Sequence, residues 1–167
     1  MITKEKYPPP TFLLPHRGNM QLIDQISEFD AKGITVRTCI KEDSPFLDGH
    51  FPNYPILPGI VLLEMMFQAC GLHGSLSALE VAGILGQWDQ QEASVYESMT
   101  MSMKSRAIGA DKLIFKKPVF PGDELEISAI PMKSFLQFST YEATVKNAQS
   151  GELVAKSTLT VFSGKNN

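Results

Sequence analysis

The feature that most restricts how this chain can fold is a helix-length run that is apolar on every side. From Ile60 to Leu72 nearly every residue is hydrophobic, and a helix with no polar face belongs inside a core. Pro58 suits the first turn because it has no N–H to leave unpaired, and Gly59 admits close approach by another group. Gly71 and Gly74 weaken the middle, and the helix is predicted to run from Gly59 to near Ala82. Upstream, Pro52, Pro55 and Pro58 stiffen the loop that starts at Gly49 and His50, since each fixes its own φ and restricts the residue before it.

Two polar residues break the apolar run, Glu64 and Gln68, and their i, i+4 spacing puts them on one face. A carboxyl group buried without partners is costly or has its pKa pushed upward. Held protonated near neutral pH, it would serve as a general acid. His50, on the rigid loop, is of the residue type most used as a general base. At the helix start the backbone N–H groups around Gly59 are unpaired, and the helix dipole favours negative charge there, as an oxyanion site requires. Each residue alone has an ordinary explanation: a turn histidine, a structural ion pair, a common helix start. Together they supply the base, acid and oxyanion binder needed to remove a proton α to a carbonyl and expel a leaving group.

The remaining sequence reads as one domain spanning residues 1–167, long enough for a sizeable core. A net charge of −3 gives no reason to expect nucleic acid as a partner. No apolar run approaches the roughly 20 residues of a membrane span, and residues 1–6 lack a signal-peptide block, so a cytoplasmic location is expected. Cys39 and Cys70 show no metal or redox spacing, Cys70 reading as a small buried hydrophobe, and no Gly-rich phosphate loop occurs. No metal or cofactor is expected. After a flexible lead-in over about residues 1–10, residues 20–30 and 33–41 read as a hairpin, and 125–134, 138–147 and 153–162 as three more strands. Met99 to Met103 alternates with period two and reads as a core strand, with a flap lining an apolar tunnel as the sharper alternative. One apolar helix among antiparallel strands gives an α+β class, the helix wrapped by the sheet.

The pattern His50-Phe51-Pro52, two residues, Pro55-Ile56-Leu57-Pro58-Gly59, then an apolar run carrying Glu64 and Gln68, resembles a known family. It is that of the 3-hydroxyacyl-acyl-carrier-protein dehydratases of the FabZ type, and more distantly the FabA type. FabA-type enzymes carry Asp at the helix position, so Glu64 points to the first group. Leu14-Pro15-His16-Arg17 with Leu22-Ile23-Asp24, and the block from Gly109 to the Pro121-Gly122-Asp123 turn, extend the resemblance over most of residues 12–74 and 109–162. It implies the hot-dog fold and a hydro-lyase converting a (3R)-3-hydroxyacyl thioester on an acyl carrier protein to the trans-2-enoyl thioester.

By the same resemblance, His50 and Glu64 are the catalytic pair, Gly59 binds the thioester oxygen, and Gln68 holds Glu64. His16 is read as structural, and His73 as a core or helix-surface residue beyond the site. The two catalytic groups of one site would come from different subunits of a homodimer, which could assemble further into a trimer of dimers. Lys104, Arg106, Lys112, Lys116 and Lys117 set five positive charges against Asp111 within residues 104–117, a docking patch for an acidic carrier protein. Departures from the family pattern are Asn53 and Tyr54 after His-Phe-Pro, the bulky Met66 and Phe67, and an insertion over about residues 80–108. They point to a specialised pathway for unusual lipids or polyenes. Rival readings are a bifunctional FabA-like dehydratase/isomerase, a hot-dog thioesterase, and a non-catalytic subunit that binds acyl carrier protein.

Overall fold

The computed structural model describes residues 6–90, 94, 98 and 104–164. Its elements run in the order α1 (Pro10–Leu13), β1 (Gln25–Asp30), β2 (Gly33–Cys39), α2 (Gly59–Val81), β3 (Lys104–Phe115), β4 (Glu124–Phe135), β5 (Phe138–Asn147) and β6 (Leu153–Gly164). The six strands form one antiparallel sheet in the order β1-β2-β4-β5-β6-β3. Period-two alternation sends Ile34 and Val36, Leu125 and Ile127, Tyr141, Ala143 and Val145, and Leu159 and Val161 to the inner face. There they meet α2, whose Met66, Ala69, Leu72 and Leu76 are fully buried. A single long helix held by a curved antiparallel sheet is the hot-dog fold, and it follows from an apolar helix that must be covered on several sides.

The structure bears on three expectations. The lead-in is in place from Tyr7 onward, because the buried Tyr7 side chain packs on Phe29 and exchanges hydrogen bonds with its backbone. Within the stretch read as a family-atypical insertion, a 3-10 turn at Leu85–Gln90 packs Leu85 and Trp88 on the core, and β3 begins at Lys104. Met99 to Met103 lies outside the described residues. Finally, α2, at 23 residues, is long and apolar enough to cross a membrane by length and composition alone, which does not by itself make it a membrane span. Its burial against the sheet is equally what a core helix requires.

Two polar residues inside this core find each other. The Tyr141 hydroxyl lies 3.2 Å from His73 Nδ1, and both side chains are buried. Burial pushes the Tyr141 phenol up to about 12, so the hydroxyl keeps its proton. Burial likewise lowers the His73 pKa, outweighing the opposite pull of Asp30 and Glu80. A histidine that resists protonation only when folded lets acid favour the unfolded chain, so stability should fall as pH drops below the ordinary histidine value of 6.5. Thermal unfolding followed from neutral into mildly acidic buffer should show this slope, and His73→Gln, which does not titrate, should flatten it.

Candidate active site

His50 stands on a loop bent by unusual backbone. Gly49 has φ 75° and Phe51 φ 55°, the latter a conformation that a bulky L-residue adopts only when the surroundings impose it. The imidazole Nδ1 lies 2.8 Å from the Ile56 carbonyl oxygen, which can only accept. The proton therefore sits on Nδ1, and Nε2 is left bare as a base. Rigid prolines fix that carbonyl, and the Leu57 N–H donates to Val119 O at 2.8 Å, tying the loop to the segment after β3.

The ring borders a cavity of about 280 Å³ lined by Ile56, Leu57, Gly59, Leu62 and Phe115, with Lys116 and Lys117 at its edge. Gly59 opens α2 with no side-chain cap on its free N–H groups. The Phe115 ring covers it so closely that a Cβ at residue 59 would come within 2.8 Å of the ring. Glycine is needed here for close approach. Phe115, half exposed at the end of β3, forms a wall of the cavity that sequence reading did not identify. The only advance signal was its place in an apolar strand end just before Lys116 and Lys117.

Glu64 has a different setting. Its Oε1 accepts from Gln68 Nε2 at 3.0 Å and lies 3.2 Å from His16 Nε2. Gln68, 1% exposed, also donates to Met20 O at 2.8 Å and accepts from Leu22 N–H at 3.2 Å, so it fastens the N-terminal segment to α2. Burial alone would raise the Glu64 pKa, but the hydrogen bonds from His16 and Gln68 outweigh it and hold the carboxyl below its ordinary value. The expectation of a raised pKa is therefore reversed, because the carboxyl is buried with partners rather than without them. His16, read from sequence as a structural residue, is in direct contact with the acid.

Glu64 is not among the residues that line the cavity beside His50. Leu62, which lines the His50 cavity, and Glu64 are two residues apart, about 160° round a helix axis. The basic residues are also dispersed: Lys116 and Lys117 flank the cavity, whereas Arg106 lies toward the other end of β3, over the Phe162 ring. Ten residues of strand separate Arg106 from Lys116, on the order of 33 Å. Lys117 is paired with Glu152 at 3.1 Å, and Lys112 occupies an irregular φ of 52°. Lys104 marks the start of β3. Of the bulky departures, Met66 is buried in the core and Tyr54 is exposed, edge-on to Phe120.

Comparison with solved structures agrees on the fold. A chain of the dehydratase heterocomplex ApeI:P from Xenorhabdus doucetiae matches with a TM-score of 0.73 at 18% identity, over 96% of this chain and 93% of that one. A hypothetical thioesterase with coenzyme A from Streptococcus pneumoniae matches at 0.56 and 15% identity, over 86% of this chain and 87% of that one. The E. coli PaaI protein from the phenylacetic acid degradation operon matches at 0.54 and 17%, over 83% and 81%. The model of one family, described as ApeP dehydratase, matches residues 8–167 of this chain. By that match, which takes in the histidine loop, the central helix and every strand, the chain belongs to the ApeP-like dehydratases.

Proposed function

We propose that this dehydratase acts on a (3R)-3-hydroxyacyl chain carried by an acyl carrier protein and releases the trans-2-enoyl thioester and water. The observation that carries the reading is the bare Nε2 of His50 beside the uncapped start of α2. His50 Nε2 takes the C2 proton, and the Gly59 N–H holds the thioester oxygen as charge develops, a contact of a kind worth about 10²–10³ in rate. The Phe115 ring, packed against Gly59, walls the cavity in which the thioester would lie. Glu64, held as a carboxylate, accepts a hydrogen bond from the 3-hydroxyl and orients it. The proton that protonates the departing hydroxyl is then the one His50 has just received, so C–H and C–O bonds break, water forms, and His50 returns to its starting state.

The opposed directions of His50 and Glu64 support a site completed by a second subunit. The outer edge of β3 pairs with no strand among the described residues and exposes Ile108, Ile114 and Phe115, a liability if left uncovered. We take its partner to be a second copy of this chain. Lys116 and Lys117, at the cavity edge, are the carrier-docking cations we favour among the five. A specialised pathway making polyenes or unusual lipids fits the family.

Mass spectrometry of 3-hydroxyacyl-carrier substrates of graded length tests this reading. The expected product is lighter by one water and still attached to the carrier. Release of free carrier thiol would mean a thioesterase, a displaced double bond would mean an isomerase as well, and no change at any length would contradict the proposal.

A further inference from the structure

The N-terminal segment delivers a second histidine to the acid. Pro15 stiffens the turn, and the Arg17 guanidinium clamps it by donating to Leu14 O at 2.6 Å and His16 O at 2.8 Å. Gly18 then takes φ 58°, a left-handed conformation that suits glycine, and starts the 3-10 turn ending at Met20, whose carbonyl is held by Gln68. The result is His16 Nε2 at 3.2 Å from Glu64 Oε1. His16 Nδ1 is buried and has no hydrogen-bond partner among the described residues. A buried N–H with no acceptor is costly, whereas a bare ring nitrogen leaves no donor stranded. The tautomer is therefore Nε2–H, donating to the carboxylate.

We propose that His16 is a positioning residue for Glu64 in the dehydration: its Nε2–H and that of Gln68 both anchor Oε1, leaving Oε2 as the oxygen that receives the substrate hydroxyl. The inference rests on the reading of Glu64 as a reacting group. His16 and Gln68 are the groups that face the carboxyl, the first from the N-terminal segment and the second from α2 itself. Gln68 is fixed by its three hydrogen bonds, so it can stop Glu64 from sliding along the helix. His16 comes from a different segment and fixes the carboxylate's rotation. Donating through Nε2–H, His16 aims the carboxylate and stabilises its charge. Dispersed contacts could not do this, because Oε1 receives two donors and Oε2 none among the described residues.

The test reads Glu64 directly. Protein labelled with ¹³C at glutamate carboxyls is titrated by NMR, with the Glu64 signal assigned by its loss in Glu64→Gln. His16→Phe, which keeps a ring and loses the donor, should move the Glu64 midpoint upward and lower kcat about tenfold or more with little change in KM. His16→Gln, whose amide Nε2 is a neutral donor at similar reach, should bring both back toward wild type. The acid limb of the kcat/KM profile should move with the NMR midpoint. His16→Ala serves as the second donor-free variant should His16→Phe not fold. An unchanged Glu64 midpoint in a folded donor-free variant overturns the inference alone. A midpoint that moves while the kinetic limb stays fixed shows that Glu64 is no reacting group, and both readings fall.

Discussion

His50→Ala should fold like the wild type and lose dehydration activity by roughly 10²–10⁴-fold, the usual contribution of a positioned acid–base group. The loss belongs in kcat, because His50 is assigned to proton transfer and not to holding the acyl chain. Its imidazole is partly exposed on the loop, and the hydrogen bond of its ring to Ile56 O spans only six residues, so the fold has little to lose. Thermal unfolding close to wild type beside a collapse in single-turnover dehydration is the expected pair of results. A His50→Ala protein with wild-type turnover would remove the base from the account.

The parts of this molecule that were legible in advance are those set by local pattern. Pro58-Gly59 followed by an apolar run marks where α2 begins, since a proline start and an all-round hydrophobic surface each have one comfortable place to be. The alternation along residues 138–147 separates Tyr141, Ala143 and Val145 from their neighbours with the observed orientation, because strand period is a local property. What was not legible depends on segments far apart in the chain. His16 meets Glu64 only because Gln68 bonds Met20 and Leu22, and no spacing rule links residue 16 to residue 64. For the same reason the direction of the Glu64 pKa was misjudged: burial was visible in the sequence, and the two donors that outweigh it were not. Phe115 escaped notice because its role comes from contact with Gly59, across the fold.

If, as proposed, the His50 and Glu64 of one site come from two copies of this chain, that sharing governs how replacements should combine. Glu64→Ala should, like His50→Ala, be slow on its own, because each replacement spoils every site in a symmetric pair. A pair built from one chain of each kind is different. One of its sites carries both replacements and the other carries neither, so about half the wild-type turnover per pair should return. No such recovery is expected if each chain forms its own site, since every site would then still lack one group.

The most direct measurement is therefore the dehydration rate of a mixed pair, made by co-expressing differently tagged His50→Ala and Glu64→Ala chains and purifying through both tags. Turnover restored far above both parents is the result this account predicts. A doubly tagged pair no faster than either parent would contradict it.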